Sequence, residues 1–564
     1  MSSTGAGESV WRSLVLAVGG ALLLVPAVWL FLPVLDYPFL NLDDDYFVVT
    51  NPAIRDLSWD GIRHLFVSDD RDFRYFPVVY LSFAVDYHFF GLDAAAFHRT
   101  NVILHLFNTL LVAAVASRLA ASWPVAAGTA LLFSVHPLQI ESVVWVMGRK
   151  TVLFFFFFLL STLVYTGSRR ARDRGGAWGA AAHGVGLALF VLAVLSKTTA
   201  VTLPAVLLLV DWLREPRALG AAAFLRRHLP SKLPYLVVVV AAWVVTHGAA
   251  ARSPFSTDAE LGAFEWLVVA GHNLFFYVYK ALVPTGLGIF YPVPTGTLPI
   301  VFYVFAIATV VLVGVIAVTV RRRQVLFGLG WYVVTILPMA LLPVLMSDLP
   351  ILAADRYCYQ SSVGLFFGFC CALAACWDRP PAPAGVARAA IGCACAVLVV
   401  ALGLRAAEHR DTWRTTTAVY EQLLRHHPSD EFYYRLAFEY DDAGATARAR
   451  DALDAADAAP NRIFFSRLFY FQLRLSELYR RKGDLSRAAQ YLDAAIASTP
   501  NAIEPDRADC PPALLYLAEL YEQAGDPERA ALARQRAAAS RVVASEYVRM
   551  RFVRHAPDAA RRYF

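Results

Sequence analysis

The stretch RSLVLAVGGALLLVPAVWLFLPVLDYPFLNLDDDYFVVTNP, residues 12–52, sets a long apolar run directly before three consecutive carboxylates. Residues 12–35 suffice, as a helix, to cross the ~30 Å of bilayer hydrocarbon. No small-residue cleavage pattern follows them, so they read as a retained first span. Asp43, Asp44 and Asp45 stand just beyond its end. A solvated loop is one reading of such acids. The other is that chemistry is done there, where water meets lipid.

The rest of the chain decides between a membrane and a soluble class. Of 564 residues 58% are hydrophobic and only 17% charged, with a mean hydropathy of +0.49, which describes a polytopic membrane protein. Apolar runs near 12–35, 97–118, 123–143, 150–167, 178–196, 198–213, 232–249, 298–320, 325–346, 356–376 and 388–404 give about eleven spans. The net charge of +6 is then a topology signal and not a nucleic-acid footprint. The basic connectors at 168–174, 214–228, 321–323 and 377–388 all fall on the cytoplasmic side only if FEWLVVAGHNLFFYVYKALVP (264–284) does not cross. Gly271, His272, Asn273 and Lys280 interrupt that segment, which suits a re-entrant or surface-lying helix. This alternation puts the N-terminus inside and the C-terminal tail outside. The external face collects the first loop at 36–96, the segments 136–150 and 347–360, the region 250–297, and Lys197. The cytoplasmic connectors carry no recognisable site. Six cysteines lie in or beside spans, with Cys510 alone in the tail; without metal spacing they read as small hydrophobes.

Beyond about residue 405 the composition turns to Ala, Arg, Asp, Glu and Leu with helical periodicity. Around Gly444, Gly483 and Gly525 the same positions recur: Leu436, Leu475 and Leu517 before, then Tyr440, Tyr479 and Tyr521, with Ala449, Ala488, Ala530 and Ala456, Ala495, Ala537 after. This is the tetratricopeptide pattern, in which small residues let two helices approach and the Gly makes the turn. The glycines are 39 and 42 residues apart, more than the roughly 34 of the ideal repeat, so the turns carry insertions. TTTAVYEQLLRHHP (415–428) resembles the second helix of a leading partial unit. The expected domains are thus 1–404, in the membrane, and 405–564, a helical solenoid.

Ionisable residues on the external face are dense. His136, Glu141, Arg149, Lys150, Lys197, Lys280, Asp355 and Arg356 join the three aspartates. Charges at membrane depth are costly and usually have a partner or a role. Acids and cations converging on one face suit a lipid-phosphate substrate, with the cations neutralising phosphate and a carboxylate accepting a proton.

These residues also carry a resemblance. FLNLDDDYFVVTNP (39–52), RYFPVVYLSFAVDYHFFGLDAAAFHRTNVILHLFN (74–108), FSVHPLQIESVVWVMGRKTVLF (133–154), LSKTTAVTLPAVLLLVDW (195–212), FFYVYKALVPTGLGIFYP (275–292) and ADRYCYQSSVG (354–364) resemble, in this order, bacterial relatives of the TMTC-type membrane glycosyltransferases. Those proteins belong to the GT-C superfamily and also carry a tetratricopeptide tail. The resemblance implies an all-α, multi-pass enzyme that transfers a sugar from a polyprenyl-phosphate carrier, with inversion, to an acceptor hydroxyl of a protein Ser or Thr. By position it implies Asp43 and Asp44 as the catalytic acids and Arg149, Lys150, Lys197 and Arg356 as ligands of the carrier phosphate. Asp45, His98, His136, Glu141, Lys280 and Asp355 are the remaining substrate-site candidates. No cofactor is demanded, though a divalent cation on Asp43 and Asp44 is compatible with the family. The partners implied are the lipid-linked sugar, an acceptor protein or peptide held by the repeats, and membrane lipid. The implied location is a bacterial inner membrane with the repeats in the periplasm. Two departures stand out: Phe76 precedes Pro77 where the family often has Arg, and Thr151 follows the Arg–Lys pair where the family usually has Asp. The alternative from another class is a non-catalytic membrane-anchored scaffold for cell-envelope proteins.

Overall fold

The computed structural model describes residues 19–67, 75–173, 177–215, 219–250, 261–294, 297–342, 351–380, 383–459, 469–498 and 511–539. The start of the 12–35 span, residues 68–74 of the first loop, residues 251–260 and 343–350, and Cys510 lie outside these. The architecture is all-α, and the strands among the described residues are the short antiparallel pair Tyr291–Pro292 and Ile351–Ala353. Two compact units divide at Val419 and Tyr420.

In the first unit seven helices among the described residues are long and apolar enough to cross a membrane: Gly19–Asp36, Ala94–Ala120, Val146–Ser168, Gly179–Ser196, Ile300–Thr319, Arg323–Ala340 and Ala384–Asp411. Ala221–His228 and Pro230–Val245, bent by 43°, make an eighth if they act as one span. Three of the eleven expected spans are cut short, each beside residues of the external face. The 123–143 run stops as the helix Trp123–Val135 because His136 is extended and Pro137 starts a new turn. The 198–213 run opens with the 3-10 turn Thr198–Thr202 before the helix Leu203–Arg214, with Pro204 in its first turn. The 356–376 run becomes the turn Asp355–Cys358 followed by Ser362–Asp378. The 264–284 segment is the helix Ala263–Leu282 and is not among the seven. Of the cysteines, Cys358, Cys370 and Cys371 are buried as expected, while Cys376 and Cys393 are exposed.

Small residues set one close helix crossing. An added Cβ on Gly364 would overlap the backbone oxygen of Gly328, and one on Gly328 would overlap that of Gly364, so Arg323–Ala340 and Ser362–Asp378 touch backbone to backbone. At the end of the bundle remote from Lys197 and Arg149, arginines tie neighbouring helices together through backbone carbonyls. Arg118 donates to Leu163 O at 2.6 Å, Arg214 to Thr166 O at 3.2 Å, and Arg323 to the carbonyls of Trp212 and Glu215. Contrary to the sequence reading, that end also holds a buried polar cluster. Lys232 is paired with Asp211 and Tyr165, and the His228 ring lies 2.8 Å from Glu215 and 3.4 Å from Asp211. The bend between the helices on either side of Pro230 brings Lys232 into the protein.

The second unit consists of helix pairs: Asp430–Asp442 with Thr446–Ala458, Phe469–Lys482 with Leu485–Ser498, and Pro511–Gln523 with Pro527–Ala539. Gly444, Gly483 and Gly525 sit in the three turns at φ of 72°, 92° and 77°, a left-handed conformation that glycine adopts without strain. The periodic Leu475, Leu517, Ala488 and Ala530 fill the core between the helices.

Gly364→Ala is expected to destabilise the detergent-solubilised protein by about 1–3 kcal/mol. Gly314→Ala, where nothing lies within 4 Å, is expected to be neutral. Thermal unfolding of both variants checks this, and equal midpoints would contradict the close crossing.

Candidate functional site

The three aspartates have three different fates. Asp44 is fully buried. One of its carboxylate oxygens accepts from Leu40 N at 3.0 Å and the other from Met147 N, also at 3.0 Å. It therefore staples the first loop to the segment that precedes Arg149. Burial pushes its carboxyl up to about 8, against the two N–H donors and with help from the charges of Asp43 and Asp45. Asp43 is half-buried and Asp45 exposed.

Between Val135 and Arg149 the chain makes short turns rather than one helix. His136 caps the first of them, with Nδ1 accepting from Leu138 N at 3.2 Å and Nε2 donating to Ala281 O at 3.0 Å. Both ring nitrogens are used by the neutral form, and burial keeps the group at about 4. Gly148 is required where the turn passes Ser142, whose carbonyl a Cβ would overlap. Asn101 donates to the carbonyls of Val143, Trp145 and Val146 at 2.9–3.3 Å, satisfying backbone that no helix satisfies.

Arg149 and Lys150 face different surroundings. Arg149 is fully buried and donates to Asp86 at 2.7 Å, Phe97 O at 2.8 Å, Ser82 at 3.2 Å and Asn101. Its guanidinium is committed to holding helices together, so the structure does not bring it to the other expected phosphate ligands. Lys150 instead lies over Trp145, 5.0 Å from the ring centre, and Phe76, at 5.9 Å. The ring at position 76 is thus a cation–π partner of Lys150.

Arg356 and Lys197 form the centre of the site. Glu141, fully buried, takes the Arg356 backbone N–H at 2.8 Å on one oxygen and its guanidinium on the other. Arg356 also donates to Ile289 O at 2.8 Å, so three loops meet on one side chain. Burial disfavours the Arg356 charge, but Glu141, Tyr357 and then Asp43 outweigh it and hold the proton above its ordinary range. Lys197 Nζ donates to Thr151 Oγ1 at 3.0 Å and faces the rings of Phe154 and Tyr357 at 5.5 and 5.9 Å. Burial, Lys150 and Arg356 push its amine well below the usual lysine value, opposed by Glu141. A cavity lies between the two cations, walled by Thr151, Phe154, Lys197, Thr199, Met339, Arg356, Tyr357 and Gln360. Its space of about 10 Å³ is the scale of one water molecule. The Thr199 hydroxyl and the Gln360 amide oxygen are buried without a hydrogen-bond partner.

The remaining candidates support these loops. Asp355 accepts from Gly288 N at 2.7 Å and Tyr291 OH at 2.9 Å, and burial together with Glu141 raises it to about 8. Lys280 donates to Thr285 O at 2.5 Å and Gly286 O at 3.1 Å. His98 is buried with Nε2 3.5 Å from Pro38 O. Among the described residues no three His, Cys, Asp or Glu side chains converge as metal ligands. Sequence reasoning missed Asp86, Asn101, His105, Asn108 and Tyr359. His105 and Asn108 both bond the Tyr359 hydroxyl, at 2.9 and 3.2 Å. The signal was present: His98, Asn101, His105 and Asn108 form a polar stripe at helical spacing within an apolar span.

Among curated proteins the chain is similar to the protein O-mannosyl-transferase TMTC1 of Mus musculus, 33% identical over 142 residues (24% of this chain, 15% of the relative). It is 38% identical over 140 residues to Tmtc2 of Drosophila melanogaster (24% and 15%), and 42% identical over 100 residues to tmtc2 of Xenopus laevis (17% and 12%). The chain is thus TMTC-like, and the match spans only 12–15% of the length of these relatives. No family model and no solved structure matches.

Breaking the buried Arg149–Asp86 pair from either side, by Arg149→Met or Asp86→Leu, is expected to cost on the order of 3–5 kcal/mol, with the double variant recovering most of it. Equilibrium unfolding in mixed micelles checks this; additive losses would contradict a mutual pairing. Asp44 adds a pH signature. Its folded value of about 8 lies above the unfolded 3.8, so its contribution is full at low pH and is lost as pH rises through about 8. Asp44→Asn is therefore expected to gain on wild type in unfolding midpoint as pH rises from about 5 to about 8. Parallel curves would rule out a proton on Asp44.

Proposed function

We propose that the protein is a membrane glycosyltransferase that moves a sugar from a polyprenyl-phosphate carrier to a protein Ser or Thr hydroxyl, with inversion at the anomeric carbon, on the non-cytoplasmic side. The observation that carries this reading is the pair of cations, buried Lys197 and half-buried Arg356, facing one small cavity. Carboxylates stand beside them, in a chain similar to O-mannosyl-transferases.

In this reading one phosphate oxygen of the carrier takes the cavity between Lys197 and Arg356, with Lys150 adding charge from the side. The head group as a whole requires Tyr357 or Met339 to move. The acceptor oxygen attacks C1, the C1–O bond to phosphate breaks, and its electron pair leaves on the phosphate, where the cations stabilise the added charge. The acceptor proton goes to a carboxylate. Of the acids named for this role, Asp43 fits best. It is half-buried and electrostatically coupled to Arg356, whereas both Asp44 oxygens are taken by backbone N–H groups. Asp44 then serves by fixing the loop, and Arg149 by fixing the helix that presents Lys150 and Thr151.

The sidedness rests on the basic connectors, which end the same helices at the opposite pole and are expected in the cytoplasm. The paired helices of the second unit, with a glycine in each turn, support a tetratricopeptide domain that presents the acceptor protein.

Transfer from polyprenyl-phosphate mannose to a Ser/Thr-containing peptide tests the proposal. Asp43→Asn is expected to lose roughly 10²–10⁴-fold in rate, while Asp45→Asn stays near wild type. Full activity of Asp43→Asn would remove that acid from the mechanism. An absence of transfer and of donor binding across a panel of sugars would favour the scaffold.

A further inference from the structure

Among the described residues, most buried or half-buried cations of the membrane unit are held by an acid or by carbonyls. Arg149 has Asp86, Arg356 has Glu141, Lys232 has Asp211, and Lys280 has two backbone oxygens. Lys197 has neither within hydrogen-bonding distance among the described residues, and its neighbour Lys150 lies over the rings of Trp145 and Phe76. Among the described residues the Lys197 amine donates to the neutral Thr151 hydroxyl. Thr151 carries no charge where an aspartate in its place would supply one, so one side chain separates an ion pair from an amine with a neutral partner.

The groups around Lys197 are mostly cationic or neutral. The helix Arg149–Asp173 contributes Lys150, Thr151 and Phe154. The turn Asp355–Cys358 contributes Arg356 and Tyr357. The helix Ile140–Val144 contributes the acid Glu141, which acts on the amine, and both of its oxygens are already engaged by Arg356. The cavity on the amine's open side admits about one water. In such surroundings a charged ammonium is disfavoured until an anion arrives.

Resting on the reading that this cavity takes the carrier phosphate, we propose that Thr151 is a positioning residue that leaves Lys197 without a counter-ion, so that the phosphate enters together with a proton and itself completes the ion pair. The balance is simple. The amine takes one proton from water, the phosphodiester keeps its single negative charge, and an ammonium–phosphate pair forms with no bond broken. When the C1–O bond later breaks, the phosphate gains a second negative charge beside an ammonium already in place. The pair is therefore stronger in the product-like state than in the ground state, the sense of difference that accelerates transfer. The depressed value of the free amine supports this order of events. Binding takes up a proton wherever the pH lies above the free value and below the bound one, and affinity there falls with rising pH by up to about tenfold per unit.

The test uses the full chain in detergent micelles and farnesyl methyl phosphate, a diester whose own charge is constant over the range. Calorimetric binding is measured from about pH 6 to about pH 9 in buffers of different ionisation enthalpy, which reports the protons taken up. Wild type is expected to bind with net proton uptake and to weaken with pH. Lys197→Arg, which stays charged, and Thr151→Asp, which supplies the acid, are expected to give flat profiles, and Thr151→Asp to bind more weakly at low pH. Thr151→Val is expected to keep the wild-type slope, because it removes the hydroxyl without adding charge. Equal wild-type affinity at all pH values with no proton uptake would overturn the inference and leave the proposed function standing. A slope that survives in Lys197→Arg would overturn it too, since another group would be its source. No binding by wild type at any pH would instead sink the phosphate reading of the cavity, and the inference with it.

Discussion

The site depends on one contact, the grip of Glu141 on Arg356. A carboxylate and a guanidinium buried together near membrane depth are tolerable only when their charges cancel and their remaining donors and acceptors are filled. Here the acid takes both the backbone N–H and the guanidinium, and the arginine reaches on to Ile289 O. Three segments far apart in sequence are fixed to one another by that arrangement. The same rule sorts the other charges. Once Arg149 and Asp86, Lys232 and Asp211, and Lys280 with its two carbonyls are paired off, Lys197 is left with a neutral partner, beside the cavity.

Building that cluster costs helix. Three runs that read as full spans are cut into turns at His136, at Lys197 and at Asp355, and the exposed backbone groups must then find partners inside the protein. They do. The Asn101 amide serves three carbonyls of the 143–146 turn, Asp44 receives Met147 N, and the His136 ring joins Leu138 N to Ala281 O. Side chains that look catalytic in a sequence are here often the replacements for missing helical hydrogen bonds. The proposed machinery is correspondingly small, and most of the polar groups around it hold loops in place.

The sequence made the membrane class, the gathering of charges at one pole and the glycine turns of the C-terminal helix pairs legible, because hydropathy, charge asymmetry and a fixed repeat are local signals. It could not separate Arg149 from Lys150. Adjacent residues at the start of a helix point about 100° apart, and which one meets Asp86 is decided by a different helix. Nor could it separate Asp43 from Asp44, whose burial depends on Met147, more than a hundred positions away. Three breaks inside apolar runs were hidden for a related reason: an apolar run of sufficient length does not reveal that Pro137 or Pro204 begins a turn inside it. The stripe of His98, Asn101, His105 and Asn108 was readable and went unread, hidden by the high average hydropathy around it.

The Lys197–Arg356 cavity is proposed as the phosphate site of a glycosyl donor. The most direct measurement is the structure of the protein in lipid nanodiscs with saturating polyprenyl phosphate. The account predicts phosphate density within hydrogen-bonding distance of both Lys197 and Arg356, with Glu141 still holding Arg356 and Arg149 still on Asp86. Phosphate bound instead at Arg149, or at the Lys232 cluster of the opposite pole, would contradict it.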